Sequence, residues 1–356
     1  MNARRLALEI LLDVTDRGAY ANLRLKALPE AIDAHAKKRV TALVYTALDH
    51  LIYIDWLLSH FIKGAQKPVV RGILRLGVSE LIYFHVPAHA AVSEYVSLAR
   101  SMGKAALSGF VNAVLRNVDR AVRGDALPPL PEEPCERLSI RYSYPLWLVT
   151  EWTAQYGAAF TERLLGAPPT GMSVRAQHPC STHMLAGLLP VAATPGRFDE
   201  NCLLLEKGID VAALPAFSDG HMAVQGQSAM LACRALGDCT GKRVLDACAA
   251  PGGKSAYIAS LCRNDVRLTC MELHPHRKAL LDRTLSRLRV QAETICHDAA
   301  VWVPAFDRLF DAVLLDAPCS GLGLLRDKPD IRYAKTDASV KALAAVQQTL
   351  LDVCAG

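Results

Sequence analysis

No two of the eleven cysteines in this 356-residue chain stand at C-x-x-C spacing, and their number is odd. That argues against a disulfide scaffold and a zinc site, and predicts reduced cytosolic thiols. No run of about 18 apolar residues occurs either, so no transmembrane helix is expected although 51% of residues are hydrophobic. Met1-Asn2-Ala3-Arg4-Arg5 leads straight into an amphipathic pattern, with no signal-peptide core or cleavage site. A cytoplasmic, soluble, monomeric protein without membrane or metal partners is expected. Two phosphate-turn fingerprints are also missing. A Walker loop needs glycine where Cys248 stands, and Ala249-Ala250-Pro251 cannot supply G-x-G-x-x-G.

What is present begins with length, which predicts about two or three domains. Residues 1–123 hold 17 Lys and Arg against 10 Asp and Glu, whereas the whole chain has a formal net charge of +5. A basic first domain fits either a nucleic-acid footprint or an ordinary solvated positive surface. Apolar residues recur there at helical period: Leu6, Ile10, Leu11 and Val14; a longer face from Val40 to Ile52; then Val70, Ile73 and Leu74; Val92, Tyr95 and Ala99; and Val111, Val114, Leu115 and Val118. An all-α bundle over 1–123 is predicted. His85 and His89 flank Pro87 without acidic or cysteine partners at ligand spacing and read as structural. Residues 124–134 carry four prolines in eleven positions and read as a stiff linker. Residues 135–237 read as a connecting α/β module, in which Trp147 and Trp152 are core rather than base-stacking platforms.

Residues 238–356 alternate strand and helix, the pattern of a Rossmann-like α/β domain. Strands are expected at 244–248, 267–272, 293–298 and 311–316, with a basic helix over 275–290. Asp246-Ala247-Cys248-Ala249-Ala250-Pro251-Gly252-Gly253-Lys254-Ser255 joins the first strand to a helix. That geometry points backbone N–H groups at an anionic group, and Gly252 and Gly253 let the main chain approach it. S-adenosylmethionine, with a compact zwitterionic end, suits the turn; an ordinary tight turn is the plain alternative. Glu272 and Asp298 end the next two strands. Glu272 can accept from both hydroxyls of a ribose and Asp298 from an adenine amine, although each alone could be a helix cap. The fourth strand runs into Asp316-Ala317-Pro318-Cys319-Ser320-Gly321. A carboxylate and a thiol so placed suit cytosine chemistry. Thiolate addition at C6 makes C5 nucleophilic toward a sulfonium methyl, and an acid at N3 and N4 assists. A buried cysteine behind a proline turn is the plain alternative.

These two motifs resemble those of the RNA cytosine-5 methyltransferases of the Sun/RsmB and Nop2 group. Ala19-Tyr20-Ala21-Asn22-Leu23, Pro87-Ala88-His89-Ala90-Ala91-Val92 and Gly109-Phe110-Val111-Asn112-Ala113-Val114-Leu115-Arg116 are similar to the NusB-like helical domain of its bacterial ribosomal member. The resemblance covers nearly the whole chain. It implies a cytosine of small-subunit (16S) ribosomal RNA as acceptor and S-adenosylmethionine as donor. It also implies that Cys248, Ala249, Ala250, Pro251, Gly252, Gly253 and Lys254 line the methionine end. Glu272 would hold the ribose, Asp298 the adenine, and Asp316 and Cys319 would work at the reacting centre.

Three departures stand out. Glu272 replaces the family's usual Asp, and Gly226 and Gln227 follow Gln225 where the family has a Gln-Asp-Glu run. In the family the attacking thiol comes from a second Thr-Cys motif after a fifth strand, while the Pro-Cys thiol assists product release. The chain ends at Gly356, in or just after the helix before that strand, so an incomplete sheet and a truncated enzyme lacking that nucleophile are expected. A non-catalytic RNA-binding protein with a vestigial cofactor fold is the alternative.

Overall fold

The computed structural model describes residues 2–84, 86–168, 171–206 and 208–355; His85 lies outside them. Its contacts divide the chain into two compact units, Met1–Pro169 with Gly321–Ser339, and Thr170–Ser320 with Val340–Gly356. The chain is a helical bundle followed by an α/β domain, the fold class its periodicities predict. Among the described residues no helix is long and apolar enough to cross a membrane.

The first unit is built on the helices Ala3–Arg17, Ala34–Asp49, Leu51–Ser59, Pro68–Tyr83, Ala88–Ser101 and Ser108–Arg123. Their apolar stripes meet in one core, in which Leu8, Leu11, Leu43, Leu48, Ile73, Leu74 and Leu115 are fully buried. The apolar face expected to run unbroken from Val40 to Ile52 belongs instead to two helices that part at His50, whose φ of −116° and ψ of 18° leave the helical region. The His50 ring stacks on Tyr83 with centroids 3.9 Å apart. At Gly77 a Cβ would stand 2.7 Å from Leu115 Cδ2, so the two helices cross closely only because that atom is absent.

Charge is buried here with its partners. Glu80 is wholly buried and accepts from Arg4 Nη2 at 2.6 Å, Arg39 Nη2 at 2.5 Å and Tyr95 Oη at 2.7 Å. Burial works to raise its carboxyl, but the hydrogen bonds from Arg4 and Tyr95 and the charges of Arg4 and Arg39 prevail and hold it below the usual carboxylate range.

The region expected to be one connecting α/β module is divided. Pro134–Tyr142, Leu146–Tyr156 and Ala158–Leu165 are helices of the first unit. Leu138, Tyr144, Leu148, Val149 and Leu165 share a core with Leu325 and Ile331, which return from far along the chain. Trp147 and Trp152 pack against that core, half-buried. The last proline of the expected linker, Pro134, opens a helix whose cap is the Glu133 carboxylate, accepting from Cys135 N at 3.0 Å. Arg332 pins the returning segment: its buried guanidinium donates to Leu325 O at 2.9 Å and Asp49 O at 3.1 Å and lies 4.1 Å from the Tyr144 ring centroid.

The second unit holds two sheets. Strands β1 (Ser173–Ala176), β2 (Ala193–Pro195), β3 (Cys202–Leu205) and β4 (Met222–Val224) form an antiparallel sheet in the order β2-β3-β1-β4. Strands β5 (Arg243–Asp246), β6 (Arg267–Glu272), β7 (Ala292–Cys296) and β8 (Ala312–Leu314) form a parallel sheet in the order β7-β6-β5-β8. The helices Gly253–Leu261 and Pro275–Arg287 cross between its strands, and Leu350 of the helix Asp337–Ala355 packs with Leu245, Ala247 and Met271.

Replacing Glu80 with Ala leaves Arg4 and Arg39 without their buried acceptor and is expected to cost about 3–5 kcal/mol of stability, read by chemical denaturation at pH 7. Because the folded carboxyl is held low, its contribution is full above the unfolded value of about 4.3 and disappears as pH falls through the folded value. The wild-type advantage therefore shrinks in acid.

Candidate functional site

Each parallel strand delivers a carboxylate to the same edge of the sheet. Asp246 is the last residue of β5 and Glu272 the last of β6, while Asp298 and Asp316 stand two residues past β7 and β8. Strand order reverses at β5, whose neighbours β6 and β8 are reached by connections running opposite ways. Crevices for ligands open at such a point.

The turn after β5 is tightly specified. Asp246 is 1% exposed, and its Oδ2 accepts from Ser255 Oγ at 2.6 Å, tying the strand end to the first turn of the next helix. Burial pushes its carboxyl up to about 6, against the opposing hydrogen bond from Ser255. Asp246 Oδ1 is buried and has no hydrogen-bond partner. Gly252 has φ of +101°, and a Cβ there would lie 2.9 Å from Leu281 Cδ1. At Gly253 a Cβ would meet nothing within 4 Å. The two glycines thus serve different ends: Gly252 makes the turn and admits the helix Pro275–Arg287, and Gly253 leaves space.

That space belongs to a cavity of about 110 Å³ lined by Gln225, Ala229, Asp246, Cys248, Ala249, Ala250, Pro251, Gly253, Lys254 and Asp316. Gly252 is not in its wall. The Lys254 ammonium pairs with the Asp316 carboxylate across it. Burial pushes the Cys248 thiol up to about 12, so it stays neutral. Glu272 and Asp298 are not in the wall. Glu272 Oε1 accepts from His274 N at 3.0 Å and pairs with Arg277, whose Nη2 donates to Ala250 O at 3.0 Å and so reaches the turn. Asp298 Oδ1 accepts from Ala300 N at 2.9 Å. Cys319 is exposed and also outside the wall, on a loop held where Gln347 Nε2 donates to Pro318 O at 2.9 Å.

Sequence reasoning missed Asp246 as a wall residue, although its place at a strand end matched the other three acids. It noted Gln225 only as the start of a run that departs from the family's, not as a wall residue, and missed its support Arg175, for which no local pattern speaks.

Two family models match the chain, the NusB family over residues 1–120 and 16S rRNA methyltransferase RsmB/F over residues 234–356. The probable ribosomal RNA small subunit methyltransferase B of Bacillus subtilis (strain 168) is 35% identical over 98% of this chain and 80% of its own length. The crystal structure of PH0851 superposes with a TM-score of 0.80 at 19% identity, covering 100% of this chain and 83% of its own. NSun6 from Pyrococcus horikoshii, solved with SFG, gives a TM-score of 0.51 at 16% identity, covering 57% of this chain and 77% of its own. At those identities the two structures speak for the fold alone.

The glycines separate by experiment. Gly252→Ala is expected to lose about 1–3 kcal/mol through its left-handed backbone and its contact with Leu281, whereas Gly253→Ala loses less than about 1 kcal/mol. Thermal unfolding of the two variants side by side checks this.

Proposed function

The chain belongs to the 16S rRNA methyltransferase RsmB/F family, and on that footing we propose that it transfers a methyl group from S-adenosylmethionine to C5 of a cytosine in small-subunit ribosomal RNA. The observation that carries the reading is the buried, unpartnered acceptor Asp246 Oδ1 beside the open space at Gly253. A buried polar atom without a partner is costly, and a ligand ammonium supplies the missing donor. The residues present fit the cofactor. Asp246, with Cys248, Ala249, Ala250, Pro251, Gly253 and Lys254, receives the methionine end. Glu272 takes the ribose hydroxyls and Asp298 the adenine amine.

When bound, the cofactor supplies an electrophilic sulfonium methyl. The chemistry on the base needs a thiolate bonded to C6 while C5 gains the methyl. Transfer of the C5 proton to a base then reforms the C5–C6 double bond and expels the thiolate, restoring the ring. Asp316, on the loop after β8, faces the base: its carboxylate accepts from the N4 amine, and its protonated form donates to N3. The exposed Cys319 thiol stands three residues on, and the family resemblance gives it the release of the methylated product. Single-stranded or flipped-out cytosine is the form that presents C5 and C6 to both groups. The helical unit, where basic residues outnumber acidic ones, grips the RNA, so binding weakens as salt rises.

The test is methyl transfer from labelled S-adenosylmethionine to small-subunit ribosomal RNA, with the modified position read by nucleoside mass spectrometry. Label in 5-methylcytosine is expected, and Cys319→Ser or Asp316→Asn should slow turnover at least about tenfold. Label on another atom overturns the cytosine assignment. A folded chain that binds RNA but not the cofactor is an RNA-binding protein instead.

A further inference from the structure

Gln225 follows β4 with its main chain fixed on both sides: its N–H donates to Ser173 O at 3.3 Å and its carbonyl accepts from Ser173 Oγ at 2.8 Å. Its side chain is fixed as firmly. Arg175 Nε donates to Gln225 Oε1 at 2.5 Å, and Arg175 is itself wholly buried. The guanidinium also donates to Gln177 Oε1 and, at 3.2 Å, to Gly253 O, with its carbon 4.9 Å from the Tyr257 ring centroid.

A guanidinium has only donors, so the amide atom facing it must be the oxygen. The nitrogen is thereby turned away from Arg175. Gln225 is 7% exposed, lines the same cavity as Asp246 and Gly253, and its Nε2 is buried without a hydrogen-bond partner. The cavity therefore holds two orphans of opposite sense, an acceptor at Asp246 Oδ1 and a donor at Gln225 Nε2. An α-amino acid carries one group for each: an ammonium that donates and a carboxylate that accepts.

We propose that Gln225 Nε2 binds the carboxylate of the cofactor's methionine end, with Arg175 as the positioning residue that turns the amide toward it. This rests on S-adenosylmethionine being the ligand of this cavity. It makes Gln225 a specificity residue, since a nucleoside lacking the amino-acid end gains nothing from it.

Gln225→Glu tests this with little change of shape. The glutamate keeps Arg175 as its partner but offers the cavity an acceptor in place of a donor. Calorimetric titration of the full chain with S-adenosylmethionine and with 5′-methylthioadenosine, which keeps the nucleoside and lacks the amino-acid end, reads the result. Loss of a hydrogen bond to a charged group predicts S-adenosylmethionine binding weakened about tenfold or more, with 5′-methylthioadenosine binding unchanged. Gln225→Leu should show the same selectivity. Arg175→Met, provided it folds, should also weaken S-adenosylmethionine selectively. Equal weakening of both ligands makes Gln225 merely structural, and no weakening of either removes it from the site; each outcome overturns the assignment while leaving the methyltransferase reading intact. A folded wild-type chain that binds neither ligand overturns both.

Discussion

Strand β5 pairs in parallel with β6 on one side and β8 on the other, and the site follows from that pairing. A strand flanked on both sides ends in a buried place, so Asp246 reaches its end with a carboxylate that water cannot solvate. Burying such a group is costly unless it is hydrogen-bonded. Ser255 supplies one bond, which fixes where the next helix starts relative to the strand. Six residues must then span the turn between Asp246 and that helix, and Gly252 closes it in a left-handed conformation. The open cradle at Gly253 and the unpartnered second oxygen of Asp246 are consequences of the same constraint.

Where folding is governed by local periodicity, the sequence was readable. Leu6, Ile10, Leu11 and Val14 share a face because a helix repeats every 3.6 residues, and all four are buried. The break at His50 was not readable, because apolar residues at Leu48 and Leu51 keep the period across it. What settles His50 is its ring stacked on Tyr83, a contact between positions far apart in sequence. The grouping of residues 134–165 with the helical unit has the same origin. It depends on Leu325 and Ile331, whose arrival no nearby pattern announces.

The site divides along the same line. Lys254 and Asp316 each sit in a short motif whose composition is unusual as packing, and the structure brings them together in an ion pair. Gly252 and Gly253 look equivalent as letters, yet φ and the neighbouring Leu281 give them different tasks. Glu272 and Asp298 were readable as strand-end acids, but their engagement by His274, Arg277 and Ala300 is visible only in three dimensions. Arg175 carried no signal at all, and Gln225 showed only as the start of a run that departs from the family's. One polar residue on a short antiparallel strand looks like any other until its partners are known.

Arg175 is the least economical residue in the second unit if stability is the only criterion. A buried guanidinium loses several kcal/mol of hydration, and here no carboxylate hydrogen-bonds it to restore that by charge attraction. Its acceptors are the amide oxygens of Gln225 and Gln177 and the carbonyls of Gly253 and Ala176, with the face of Tyr257 alongside. An apolar side chain of similar volume would fill the space at lower cost. What it could not do is hold these oxygens from three places in fixed directions: the end of β4, the end of β1 and the start of the helix after β5. A donor-only group at their meeting point makes the orientation of the Gln225 amide unambiguous. The expense of burying Arg175 is thus spent on direction, where the antiparallel sheet meets the cofactor-type turn.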